Sequence, residues 1–167
     1  LMTSLTTSPV MVALVQTATQ VPILLLSLVA GAAADVWDRR SVLIVAQLWV
    51  LTTSFGLAIM TWAGLTGPAM LLLFTFSLGI GAAINSPAMQ VVVRELVPTR
   101  ELAAAVTINA VAFNLARSVG PAIGGVIVAL AGAQAAFLIN AVSCIGLLVV
   151  LIRLRRHVRE PELPRER

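Results

Sequence analysis

Charge is what this sequence has least of. Only 11% of its 167 residues are charged and 59% are hydrophobic, against roughly 25% and 45–50% in an ordinary soluble domain. A soluble domain of this length needs a large wetted surface, and these charges cannot cover one. Lysine is absent altogether, so all eleven cations are arginines. There is one cysteine, Cys144, and it lies in an apolar stretch. That excludes a disulfide framework and leaves a small hydrophobe. The one histidine, His157, lies near the carboxy terminus, so the apolar stretches offer no histidine for a metal site or for acid–base chemistry. Neither metal nor cofactor is expected.

What is there instead is long apolar runs. Residues 41–93 carry no charge, and residues 102–152 carry one, Arg117. Each run is too long for one membrane-spanning helix of about 20 residues and suits two. The first breaks at Gly64-Leu-Thr-Gly-Pro68, the second at Ala131-Gly-Ala-Gln134. A further run follows Thr-Ser-Pro near the start. The expected fold is all-α: a polytopic transmembrane helical bundle with five spans at 11–34, 41–64, 67–93, 102–131 and 133–152. No basic segment precedes the first run, which argues against a secretory signal peptide.

Arginine placement orients the bundle. Arg39 and Arg40 follow the first span, Arg94 and Arg100 follow the third, and Arg153, Arg155, Arg156, Arg159, Arg165 and Arg167 follow the fifth. The other connections carry no charge. Span parity and arginine placement agree, and the charged face is expected in the cytoplasm. The net charge of +4 is therefore an orientation signal. A basic groove with interleaved aromatics, the mark of nucleic-acid binding, is absent. The tail, residues 153–167, is mixed in charge and is expected to be cytoplasmic. An uncharged external start without Met is an unusual beginning for a five-span protein, so the chain reads as a fragment with at least one helix before it.

The stretch GAAADVWDRRSVL, residues 31–43, places two aspartates and two arginines between two spans. As chemistry alone it is a polar turn, with Gly31 and the following alanines allowing close approach of helices. It also resembles the loop between helices 2 and 3 of the major facilitator superfamily, whose pattern Gly31, Asp35, Arg39 and Arg40 match. ARSVGPAIGG, residues 116–125, is similar to the helix-5 glycine-proline signature of drug–proton antiporters in that superfamily, with Gly120, Pro121, Gly124 and Gly125 matching. INSPA, NLARSVGPAIGG and AAFLINAVS look like the bacterial branch that includes the enterobactin exporter.

The resemblance covers nearly the whole chain. It implies that residues 1–152 are an incomplete amino-terminal six-helix half lacking most of the first helix, with residues 153–167 opening the central loop. The implied function is a secondary active exporter of small molecules, drug-like or siderophore-like. It would work by alternating access and proton coupling in the bacterial cytoplasmic (inner) membrane. The implied partners are the lipid bilayer, a small-molecule substrate and the missing carboxy-terminal half. In the family the 31–40 loop acts as a latch onto helix ends of that other half, and the glycine-proline segment seals the cavity against leak. One departure stands out. Many members carry an arginine four residues before the glycine of a segment like LGIGAA, and that position here is Thr75.

Read from the residues, Gln16, Gln20, Ser27 and Gly31 share one helical stripe, which can line a cavity or pack helices. Arg117 lies at mid-span, where an arginine costs about 2.5–3.5 kcal/mol on insertion scales. Asn114 is one turn before it, and Asn109 and Asn85 offer further amides. Arg117 is either a cavity cation or a buried charge satisfied by neighbouring amides. Gly120 and Gly124 allow close helix contact, and Pro121 favours a kink. No Asp or Glu lies within the five spans, so a coupling carboxylate must lie elsewhere. With no clustered acids or histidines in the spans, an enzyme is not expected. The alternative to a transporter is a non-transporting membrane sensor or assembly protein built on the same helices.

Overall fold

The computed structural model describes residues 2, 8–36 and 38–153. Side chains are described for these residues except 27–36, 39, 87, 88 and 90–96. Four long helices form: α1 (Pro9–Val36), α2 (Arg39–Trp62), α3 (Pro68–Leu96) and α4 (Leu102–Arg153), with a short 3-10 turn at Thr99–Glu101 before α4. All four are long and apolar enough to cross a membrane.

Local chemistry explains the boundaries. Asp38 caps α2, its carboxylate accepting from the Ser41 backbone N–H at 3.3 Å and the Ser41 hydroxyl at 2.8 Å. At the other end of α2, Gly64 takes φ +71°, a conformation natural to glycine. Its N–H bonds Thr61 O at 3.2 Å while the Leu65 N–H bonds Met60 O at 3.0 Å. That pair of bonds is a Schellman stop. Pro68 then opens α3 at a position where its missing N–H costs nothing.

The expected count of five spans is not matched: among the described residues there are four such helices. The two spans expected at 102–131 and 133–152 form one 52-residue element interrupted at Gly132, which is non-helical at φ 80°, ψ 166°. The interruption takes a single residue and no open loop. At 1.5 Å per residue α4 contains about 78 Å of helix, against a hydrocarbon core of about 30 Å. The backbone keeps helical dihedral angles at Pro121, and Gly132 is the non-helical residue inside α4.

Among the described residues, α1 packs on α3, α3 on α2, and α2 on α4, while α1 scarcely touches α2. Space therefore orders the helices differently from sequence. The close approach expected for residues 31–34 lies outside the described side chains. The close approach that is visible lies at α3. A Cβ at Gly79 would stand 2.7 Å from Thr19 O of α1, and one at Gly81 would collide with Val50 of α2. Two residues apart on a helix is about 200° of rotation, so these glycines serve opposite faces and let α3 sit between its neighbours.

The portion of α4 after Gly132 runs antiparallel to α2: Asn140 meets Ser54, Cys144 meets Gln47, and Leu151 meets Arg40. Two apolar clusters close the bundle. One joins Met2, Leu57 and Leu71; the other joins Val42, Leu43 and Leu151. Between them lies a polar belt. The Asn140 amide donates to the buried Ser54 hydroxyl at 2.7 Å, Trp49 Nε1 donates to Ser77 O at 2.9 Å, and the Thr53 and Ser77 hydroxyls share a bond at 3.2 Å. Large apolar side chains such as Leu24, Val45, Phe55 and Trp62 face outward. An outward apolar surface around inward hydroxyls and amides suits a lipid solvent, in which polar groups must find partners within the protein.

Candidate functional site

The candidate cavity residues lie on two helices. Gln16 and Gln20 are exposed on α1, and Gln20 borders a shallow, open, apolar depression with Val21, Ile23 and Leu24. Asn114 and Arg117 are exposed on α4, in the portion before Gly132 that is almost wholly uncovered. Among the described residues α1 and α4 make no close backbone approach, although Val15 and Phe137 border the same apolar cluster, and the structure does not bring the two pairs together. Ser27 and Gly31, the rest of the expected stripe, lie outside the described side chains.

Arg117 has no hydrogen bond or ion pair to any described residue. Asn114, the nearest amide in sequence, is tied to its own helix through its nitrogen: Nδ2 donates to Ala110 O at 2.8 Å, while the Asn114 backbone O accepts from the Ser118 hydroxyl at 2.9 Å. Asn85 differs: its Oδ1 is buried and lacks a hydrogen-bond partner. Asn109 is exposed. Asn140 packs across helices, its amide bonded to the Ser54 hydroxyl. Thr75, where many superfamily members have arginine, bonds Leu71 O at 2.7 Å and is satisfied within its own turn.

The glycine-proline segment is open. A Cβ at Gly120, Gly124 or Gly125 would meet nothing within 4 Å, so no described helix uses the close approach these residues allow. In the loop motif, Gly31 and Asp35 belong to the last turns of α1, and Arg39 and Arg40 open α2. The side chains of Gly31, Asp35 and Arg39 lie outside those described. Arg40 is described, and it contacts another helix: its Nε donates to Leu151 O at 2.8 Å and its Nη2 to Ile152 O at 2.6 Å. Sequence reasoning did not place Arg40 there, and treated Asp38 as part of a polar turn where the structure makes it a helix cap. The Asp-x-x-Ser spacing of residues 38–41 could have signalled the cap.

The full chain, residues 1–167, matches the family described as transmembrane secretion effector. It is 31% identical over 147 residues to the staphyloferrin A transporter of Staphylococcus aureus, an alignment covering 87% of this chain and 36% of that protein. It is 32% identical over 145 residues to the multidrug efflux pump Tap of Mycobacterium bovis and to that of Mycobacterium tuberculosis, covering 83% of this chain and 34% of each pump. The matched region is thus about a third of these relatives. No solved structure matches the chain significantly. The family and its relatives are transporters rather than enzymes. Helices, apolar surface and full-length family match agree: the chain belongs to the transmembrane secretion effector family of the major facilitator superfamily, and is an integral membrane protein.

Proposed function

We propose that this chain is the amino-terminal half of a secondary transporter that exports small molecules by alternating access, with substrate meeting Arg117 between this half and the rest of the protein. In this reading α4 crosses the membrane twice, turning at Gly132, which restores five spans. The observation that carries it is Arg117 itself. A guanidinium at mid-helix, exposed and without a partner among the described residues, cannot face hydrocarbon cheaply. It calls for a polar surrounding, and a cavity between two helical halves supplies one near the midplane. Gly120 and Gly124, uncovered here, are then a seat for a helix of the complete protein. Proton coupling, if used, draws its carboxylate from outside the spans described.

The orientation has its own check. In a Cys144→Ala background, single cysteines at Leu65 and Thr99 stand at opposite ends of α3, and both positions are exposed. An impermeant thiol reagent added to intact bacteria is expected to label Leu65→Cys and spare Thr99→Cys. The reverse pattern would invert the topology.

The loop motif tests transport. Asp35→Asn in the full-length protein is expected to lower efflux about tenfold, the size of one lost charge-assisted bond, while folded protein in the membrane stays at the parent level. Efflux at the parent rate would reduce the 31–40 stretch to a solvated turn. Absence of efflux from the parent for any drug or siderophore tried, with a well-folded protein, would favour a sensor or assembly role.

A further inference from the structure

The arginine pair at the start of α2 is expected, by resemblance, to work on a partner half. The geometry points to a different task for Arg40: it is a clasp inside this half, tying the first turn of α2 to the backbone of α4. This inference goes beyond the transport reading and stands without it.

The last four carbonyls of a helix have no partner of their own, and they carry the negative end of the helix dipole. Leu151 and Ile152 stand in the last described turn of α4 (Leu102–Arg153). Arg40 meets both with separate nitrogens, Nε on Leu151 O at 2.8 Å and Nη2 on Ile152 O at 2.6 Å. Adjacent carbonyls suit the rigid fork of a guanidinium; an ammonium has no such fork.

The clasp is anchored on both sides. Behind Arg40, Asp38 fixes the first turn of α2 through Ser41. Beside it, Val42 and Leu43 of α2 pack with Leu151 of α4 in one buried cluster, flanked by Leu147. The last described turn of α4 is therefore held by an apolar contact and two charge-assisted bonds. With both prongs used, Arg40 is a positioning residue for this part of α4.

Hydrogen exchange on the purified full-length protein in detergent tests this without reference to transport. In Arg40→Met the peptide covering residues 147–153 is expected to exchange about tenfold faster, the effect of losing bonds to a charged donor. Peptides from residues 52–60 should be unchanged. Arg40→Lys, which keeps charge and stem, should be intermediate. Arg100→Met removes a cation from a different loop and should leave residues 147–153 protected. Parent-like protection in Arg40→Met, or equal loosening in Arg100→Met, would overturn the clasp. Should Arg40→Met fail to fold, Arg40→Lys decides alone, and full protection there would overturn the two-pronged contact.

Discussion

Gly79→Leu is expected to abolish the folded protein, and Gly79→Ala to lower its stability measurably. A Cβ at Gly79 would lie 2.7 Å from Thr19 O, 3.3 Å from Ala18 O and 3.0 Å from Pro22 Cγ. Two of these neighbours are backbone oxygens and cannot rotate aside. One is there for a chemical reason: Pro22 has no N–H, so it cannot bond Ala18 O within α1. The oxygen so released faces the Gly79 backbone instead. Alanine has the better helix propensity by about 1 kcal/mol, which favours the substitution. The steric term opposes it, and overpacking of a tight contact costs typically about 1–3 kcal/mol. The steric term should win because both helices must separate to admit the methyl group. Thermal unfolding in detergent should show Gly79→Ala lowered by roughly 2–8 °C. Gly79→Leu should appear only as aggregate in size-exclusion chromatography. Gly67→Ala is the control, since a Cβ there meets nothing within 4 Å. A monodisperse Gly79→Leu protein melting with the parent would mean that α1 and α3 do not pack as described.

The helices were legible from sequence because lipid demands long apolar runs, and those runs are plain between 41 and 93 and between 102 and 152. The stop at Gly64 was legible because glycine and proline cluster there. Gly132 was also marked: the expected spans 102–131 and 133–152 leave that one residue between them, and it is the non-helical residue inside α4. Neighbour order was not legible. In a soluble protein an apolar stripe shows which face turns inward; here all faces are apolar, and that signal is lost. The informative residues were Gly79 and Gly81; the small-xxx-small patterns they belong to, Gly79 with Ala83 and Ser77 with Gly81, signal close packing without saying which helix each faces. Arg40 was visible as a charge, but its acceptors, the backbone carbonyls of Leu151 and Ile152, are more than a hundred residues away and carry no sequence signature. The candidate cavity was legible only in parts. Arg117 and Asn114 could be found, yet the structure gives Asn114 to its own helix and sets α1 apart from α4.

Arg117→Met is expected to leave folding intact and to remove most transport. Methionine has an apolar stem of similar length, so the substitution removes charge more than volume. If Arg117 were only a tolerated ion, that exchange would be neutral or stabilising, as for many buried charges, and export would continue. Its surroundings favour the other outcome. No described residue bonds it, and the helix carrying it is exposed along that portion. A charge without a partner among the described residues is available to an anionic group on a substrate or to a carboxylate elsewhere in the full-length protein. Losing one such contact is expected to lower efflux at least about tenfold, since a bond to a charged group contributes about 1.5–3 kcal/mol. Arg117→Lys should retain part of the activity, because charge survives while the planar two-pronged donor does not. Efflux rate and thermal stability should be measured side by side on the full-length protein. Arg117→Met protein with an unchanged or raised melting temperature and reduced efflux places the guanidinium in the transport path. The same stability with undiminished efflux would exclude a working charge there, and the exposed portion of α4 would then serve packing alone.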